Sequence, residues 1–136
     1  MWIKEWNPSF SVSVKKFDEQ HRKIFELLNQ LYEALKTGEG SRIILDILQS
    51  LISYTDTHFV EEEQMMQSID YPGIGQQKQQ HKELLDHILE LKQKFISGDS
   101  DLVPVNTLSF LNSWLVNHIQ IEDKKYAQFF NAKGVF

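Results

Sequence analysis

A histidine and a carboxylate four residues apart, His58 and Glu62, lie in the middle of a strongly helical segment. Because an α-helix turns once every 3.6 residues, the two side chains share one helix face, about one turn apart. Reading back from His58, the same face carries Thr55, Leu51, Leu48 and Ile44, in the steps of three and four that are typical of a buried bundle stripe. A buried imidazole and a buried carboxylate are costly unless they are paired or bound to a metal. This level of the stripe is therefore the first candidate for chemistry.

Three other apolar stripes carry polar residues near one end. His21 precedes the stripe of the first predicted helix, Gln77 and His81 head the third, and His118 and Glu122 extend the fourth. Imidazoles clustered in a dry core cannot all become charged, whereas a metal ion uses the lone pair of each. An acid–base pair of carboxylates is the alternative, but the surrounding imidazoles favour a metal. The number of nitrogen and oxygen ligands is too large for one ion, so we predict a dinuclear site of iron, manganese or zinc.

The elements that must position these residues are four helices joined by short loops. We predict helices over about 18–37, 41–67, 74–97 and 104–130, with Asp18 and Ser41 as N-caps and Pro104 in the first turn of the last helix. Such a pattern predicts an all-α, up-down-up-down antiparallel four-helix bundle, which brings the polar levels to one end of the core. Residues 1–136 then form one domain, with the bundle over 18–130. Residues 1–17 form an extended arm packed by Trp2, Trp6 and Phe10.

Composition narrows the classes of function. The chain has 136 residues, no cysteine, and 14 basic against 19 acidic residues, which gives a net charge of -5. The absence of thiols rules out disulfides and thiolate ligands, and the absence of a basic stripe argues against nucleic acid as a partner. No apolar run approaches the roughly 20 residues of a membrane span, and the N-terminus lacks the pattern of a signal peptide. We expect a cytoplasmic protein without a membrane span.

With these residues in view, the sequence resembles the hemerythrin family, in particular its bacterial single-domain members. The resemblance covers nearly the whole chain and rests on the segments 17–21 (FDEQH), 58–63 (HFVEEE) and 114–119 (WLVNHI), together with His81, Asp123 and Tyr126. It implies a four-helix bundle that holds a non-heme diiron centre and binds dioxygen reversibly.

The resemblance also implies a role for each candidate ligand. His21 and His58 would hold the iron that binds dioxygen, His81 and His118 would hold the other iron, and Glu62 and Asp123 would bridge the two irons together with an oxo or hydroxo group. Trp114, Leu115 and Ile119 would line the dioxygen pocket and exclude water.

The fourth helix offers two acidic candidates. The helical stripe favours Glu122, four residues after His118, whereas the family spacing of five favours Asp123, which we adopt. Because five residues rotate an ideal helix well past one turn, we expect a π-type distortion here. In the second helix we expect Glu61 and Glu63 to point away from the face of Glu62.

One position departs from the family pattern. The third helix of the family carries two histidines four residues apart, and the first of these is Gln77 here. A glutamine can ligate weakly through its amide oxygen, give its place to water, or leave a coordination position open. Since one imidazole donor is lost, we expect autoxidation to be faster than in a Gln77→His variant.

The expected function is dioxygen binding, as a carrier, store or delivery protein, rather than catalysis. Alternatives are a diiron redox enzyme that acts on peroxide or nitric oxide, a module that senses oxygen or iron, and a bundle that holds zinc or no metal. Dioxygen is the expected ligand, and a redox or oxygen-consuming protein is a candidate partner.

Overall fold

The structure, a computed structural model, describes residues 5–97 and 105–136, with side chains in the second range described from residue 108. Trp2 and Pro104, which figured in the sequence predictions, lie outside the described residues. The described elements are a 3₁₀-helix at Pro8–Phe10, α1 at Lys15–Lys36, α2 at Ser41–Ser68, α3 at Ile74–Ile96, α4 at Val105–Asn117, a π-helix at His118–Asp123 and α5 at Lys124–Ala132. Within these ranges there is no β-strand, which confirms the all-α prediction.

The helices form a four-helix bundle. α1 packs against α2 and α4, and α3 packs against the same two helices, so that sequence neighbours are also neighbours in space. α4, the π-helix and α5 follow one another without a break and together form the fourth helix of the bundle. No helix in the described ranges is both long enough and apolar enough to cross a lipid bilayer.

The predicted N-caps of the first two helices are wrong. α1 begins at Lys15, and the Asp18 carboxylate instead accepts hydrogen bonds from the Ser11 hydroxyl at 2.6 Å and the Val12 amide at 2.8 Å. Asp18 thus ties the preceding turn to the first turn of α1. At the start of α2, Ser41 is the first helical residue and Gly40 occupies the cap position without a side-chain hydrogen bond.

The N-terminal arm is only partly extended. Residues Pro8–Phe10 form a 3₁₀ turn, which begins where the Asn7 side chain accepts a hydrogen bond from the Ser9 amide at 2.9 Å. Phe10 is fully buried and stacks on Phe25 of α1, with ring centroids 5.6 Å apart. The arm therefore packs on the bundle through Phe10, as predicted.

Candidate metal centre

Six of the predicted ligands meet as two groups of three in the buried core. His21 of α1 joins His58 and Glu62 of α2, and His81 of α3 joins His118 and Asp123 at the two ends of the π-helix. Within each group the candidate ligand atoms all lie within 4.8 Å of one another. All six side chains are buried. The four helices of the bundle thus bring imidazoles and carboxylates together at the same height along the bundle axis, as the alignment of the apolar stripes predicted.

The two carboxylates lie between the groups. Glu62 places Oε1 3.0 Å from Nε2 of His58 and 3.5 Å from Nε2 of His81, with Oε2 3.4 Å from Nε2 of His21. Asp123 places Oδ2 3.2 Å from Nε2 of His21 and Oδ1 3.0 Å from Nε2 of His118. Each carboxylate therefore contacts imidazoles of both groups, which is the position required of a bridging ligand.

Many of the nitrogen and oxygen atoms at this level lack a hydrogen-bond partner. Among the described residues, eight buried nitrogen and oxygen atoms of the cluster make no hydrogen bond: Nδ1 and Nε2 of His21, Nε2 of His58, His81 and His118, Oε1 of Glu62 and Gln77, and Oδ2 of Asp123. Buried polar atoms in proteins are normally satisfied, and each orphan is costly. A set of imidazole nitrogens and carboxylate oxygens facing inward without partners fits transition-metal ions such as iron.

The π-helix decides which acid of the fourth helix joins the cluster. It spans His118–Asp123, and this wider turn brings Asp123, five residues after His118, onto the face of the histidine. Glu122 instead lies outside the cluster, with 14% of its side chain exposed, and pairs with Lys125 at 3.1 Å. The expected distortion is present, and the simple helical stripe, which favoured Glu122, is wrong at this point.

Gln77 also lies in the cluster. Its side chain is buried, and its amide Nε2 donates a hydrogen bond to Oδ1 of Asp123 at 3.0 Å. Its Oε1 is one of the buried orphans. The amide thus holds Asp123 with one end and presents an unpaired oxygen with the other.

A second layer of polar side chains holds three of the imidazoles. Nδ1 of His58 hydrogen-bonds Oε1 of Gln20 at 2.5 Å, and Nδ1 of His118 hydrogen-bonds Oε1 of Gln80 at 2.7 Å. Nδ1 of His81 hydrogen-bonds Oε2 of Glu63 at 2.7 Å. These bonds occupy Nδ1 and direct Nε2 of each ring into the cluster, as in protein metal sites generally.

Sequence reasoning missed this layer, because it expected Glu61 and Glu63 to point away from the face of Glu62 and assigned them no contact with the ligands of the other helices. Glu63 contacts His81, and Glu61 accepts a hydrogen bond from Nε2 of Gln20. A simple signal was available. Gln20, Glu63 and Gln80 each adjoin a predicted ligand in sequence, and adjacent helical residues point about 100° apart. A neighbour of an inward-pointing ligand therefore faces the next helix and can reach the ligand there.

Aromatic rings fix the planes of the imidazoles. Phe59 stacks on His81 with centroids 3.8 Å apart and planes within 3°, and Trp114 stacks on His118 at 4.7 Å and 14°. Leu115 and Ile119 are buried, whereas Trp114 is half-buried. Tyr126 of α5, also missed as a site residue, donates its hydroxyl to Oε2 of Glu62 at 2.5 Å.

The charges of the cluster are strongly coupled. Burial alone would lower the pKa of His21, but its contacts with the carboxylates of Asp123 and Glu62 raise that pKa to about 10. Burial and the Glu62 charge would raise the pKa of Asp123, yet the neighbouring His118 and His21 lower it to about 2. Burial lowers the pKa of His58. These shifts favour anionic carboxylates beside a protonated His21 in the absence of a metal, and a bound cation would take the place of that positive charge.

Fold and site together define a class: an all-α bundle whose core holds two adjoining groups of nitrogen and oxygen donors suited to metal ions. Comparison with known proteins agrees. The family model described as the hemerythrin HHE cation-binding domain matches residues 12–130. The chain belongs to the hemerythrin family.

Several relatives match over most of their length. The bacteriohemerythrin of Methylococcus capsulatus is 35% identical over 133 residues, which are 97% of this chain and 100% of that protein. The bacteriohemerythrin of Clostridium acetobutylicum is 32% identical over 89% of this chain and 96% of its own. A crystal structure of wild-type hemerythrin superposes with a TM-score of 0.84 at 34% identity, covering 92% of this chain and 95% of that one.

Proposed function

We propose that this protein binds dioxygen reversibly at a diiron centre and acts as an oxygen carrier, store or delivery protein. The observation that carries the proposal is the set of eight orphaned donor atoms, spread over all seven predicted ligand residues. A fold that leaves so many buried polar atoms unpaired at one level is explained most simply by ions that accept their lone pairs. Membership of the hemerythrin family supports iron as the metal and dioxygen as the ligand.

In this proposal the residues divide into two sets of terminal ligands and two bridges. His21 and His58 would hold one iron, while His81, His118 and the oxygen of Gln77 would hold the other. Glu62 and Asp123, which contact imidazoles of both groups, would bridge them. When bound, a ferrous pair supplies the two electrons that reversible capture of dioxygen requires.

The protein's own side chains would keep this chemistry reversible. Leu115 and Ile119 are buried, and each adjoins in sequence a residue of the site, Trp114 or His118; they would exclude water from the cluster, which in a site of this kind slows irreversible loss of reduced oxygen. The hydroxyl of Tyr126 holds Glu62 in place through a hydrogen bond, and burial and the Glu62 charge raise the pKa of the tyrosine well above its ordinary value.

Anaerobic reconstitution with ferrous iron, followed by metal quantification and absorption spectra on adding and removing oxygen, tests the proposal. We expect two irons per chain and a visible band that appears with oxygen and fades on its removal. A His58→Ala variant should lose iron, whereas His87→Ala should not, because His87 is exposed, packs against the ring of Phe110 and belongs to neither group of candidate ligands found among the described residues. Failure of the wild-type protein to hold two irons would overturn the diiron site.

One observation supports a second candidate function. Gln77 supplies a neutral amide in place of an imidazole, which weakens electron donation to one iron and favours a redox enzyme acting on peroxide or nitric oxide. In that case the reconstituted protein would pass directly to a ferric spectrum on exposure to oxygen. It would also consume hydrogen peroxide in the presence of an electron donor.

A further inference from the structure

The three outer hydrogen bonds to the imidazoles are not equivalent. His58 and His118 each bond a neutral amide oxygen, from Gln20 and Gln80. His81 bonds a carboxylate, from Glu63. Among the described residues, therefore, His81 is the cluster histidine whose Nδ1 hydrogen-bonds a charged partner.

Glu63, the charged partner, bonds a histidine of the group that also contains the Gln77 amide. Gln77 joins the group of His81, His118 and Asp123, since its Nε2 bonds Oδ1 of Asp123 and that oxygen lies 3.0 Å from Nε2 of His118. An amide oxygen is a harder and weaker donor to iron than an imidazole nitrogen. The group that contains Gln77, the weaker donor, is thus also the group in which a histidine, His81, hydrogen-bonds the Glu63 carboxylate.

We propose that Glu63 is a positioning residue for His81, and that its negative charge offsets the weaker donor at Gln77. By accepting the proton of Nδ1, Glu63 selects the tautomer in which Nε2 is free to bind a metal. A full negative charge on the acceptor also makes Nε2 more basic than an amide acceptor would. The inference rests on the proposed function, because it assumes that His81 is a metal ligand.

The packing around His81 supports this assignment. Phe59, four residues before Glu63 on α2, stacks on the His81 ring at 3.8 Å with nearly parallel planes. α2 therefore fixes both the plane of the ring and its Nδ1 atom. The Glu63 side chain keeps 24% of its surface exposed, so its charge is tolerated without a buried counter-ion.

A short series of variants separates the hydrogen bond from the charge. Glu63→Gln keeps an acceptor of similar length and removes the charge, which gives His81 the kind of partner that His58 and His118 already have. Glu63→Leu removes both. Glu83→Gln removes one negative charge from an exposed position nearby on α3 and is the matched control.

The affinity of the metal-free protein for ferrous iron would be measured anaerobically by competition with a chelator. For the more weakly held iron we expect a loss of about 10-fold in Glu63→Gln and about 100-fold in Glu63→Leu, the range found for outer partners of metal-binding histidines. Glu83→Gln should change the affinity less than about twofold. Equal affinities for Glu63→Gln and Glu83→Gln would overturn the role of the charge.

Repeating the series in a Gln77→His background tests the compensation itself. With an imidazole restored, loss of the Glu63 charge should lower the affinity for ferrous iron by a smaller factor than in the wild-type background. The two factors should differ by at least about two- to threefold, which is the smallest coupling that a double-mutant cycle resolves. An identical loss in both backgrounds would overturn the link to Gln77.

Nitrogen-15 NMR of histidine-labelled, metal-free protein reads the hydrogen bond without any metal. We expect His81 to carry its proton on Nδ1 in the wild-type protein and in Glu63→Gln, and to become a mixture of tautomers in Glu63→Leu. A proton on Nε2 of His81 in the wild-type protein would overturn the inference. If the protein instead shows the expected tautomer but binds no iron, the proposed function fails while the hydrogen bond stands.

Discussion

Replacing Tyr126 with phenylalanine would remove the hydrogen bond from the tyrosine hydroxyl to Oε2 of Glu62, an oxygen that also lies 3.4 Å from Nε2 of His21. Both side chains are 0% exposed, and the hydroxyl lies 2.5 Å from the carboxylate oxygen. The phenylalanine ring would keep its stacking on Phe130, at a centroid distance of 4.4 Å, so the change is confined to one oxygen atom.

The size of the effect follows from the burial of the pair. Hydrogen bonds to charged groups contribute about 1.5–3 kcal/mol, and full burial places this one in the upper part of that range. We therefore expect the free energy of unfolding of the metal-free protein to fall by about 2–3 kcal/mol. With an unfolding entropy of about 2.1 cal/mol/K per residue, the midpoint of thermal unfolding should fall by roughly 7–10 °C.

Urea and thermal unfolding of the chelator-treated protein, followed by circular dichroism, would measure this loss. Tyr71→Phe is the matched control, because the Tyr71 ring packs against the ring of Tyr126 while its hydroxyl makes no hydrogen bond within the described residues. We expect that control to change stability by less than about 0.5 kcal/mol. If both variants lose the same small amount, the hydrogen bond to Glu62 does not stabilise the fold and the reasoning is wrong.

Three further predictions concern pH, packing and oxidation. Contacts with Asp123 and Glu62 raise the pKa of His21 from 6.5 to about 10, so the protonated His21 stabilises the metal-free protein fully below pH 6.5, and this contribution is lost as the pH rises to 10. In a His21→Gln variant, the free energy of unfolding should therefore change less between pH 6.5 and pH 10 than it does in the wild-type protein. Leu48→Ala should lower the free energy of unfolding in urea by about 2–5 kcal/mol, because Leu48 is 0% exposed. Ile43→Ala, the control, should lower it by less than about 0.5 kcal/mol, because Ile43 is 48% exposed. Equal losses of stability in the two variants would contradict the assignment of Leu48 to the core. The oxygenated protein should autoxidise faster than its Gln77→His variant when followed by absorption, and equal rates would refute a role for the missing imidazole.

Helical periodicity is enough to predict which residues of a single helix are buried. The helical periodicity placed His21, His58, Glu62, His81 and His118 on buried stripes, and all five are buried at one level. Helical periodicity predicts these positions correctly because the residues on one face of each helix point into the core and are buried. It failed at the caps, since Asp18 bonds the preceding turn rather than the first amides of α1.

The choice of Asp123 over Glu122 came from the family resemblance, not from periodicity. A π-helix changes the rotation per residue locally, so an ideal helical wheel turns the wrong acid inward. The structure supplies the reason that the spacing of five is compatible with a shared face.

Spacing along single helices was enough to predict the helices, the polar level of the core and the candidate ligands other than Asp123. Only the tertiary structure decided which side chains support them from the neighbouring helix. Glu63 reaches His81, Gln20 reaches His58, and Tyr126 reaches Glu62 across separations of 18, 38 and 64 residues. Such contacts depend on how each helix is rotated against the next, and that rotation is set by the packing of the whole core.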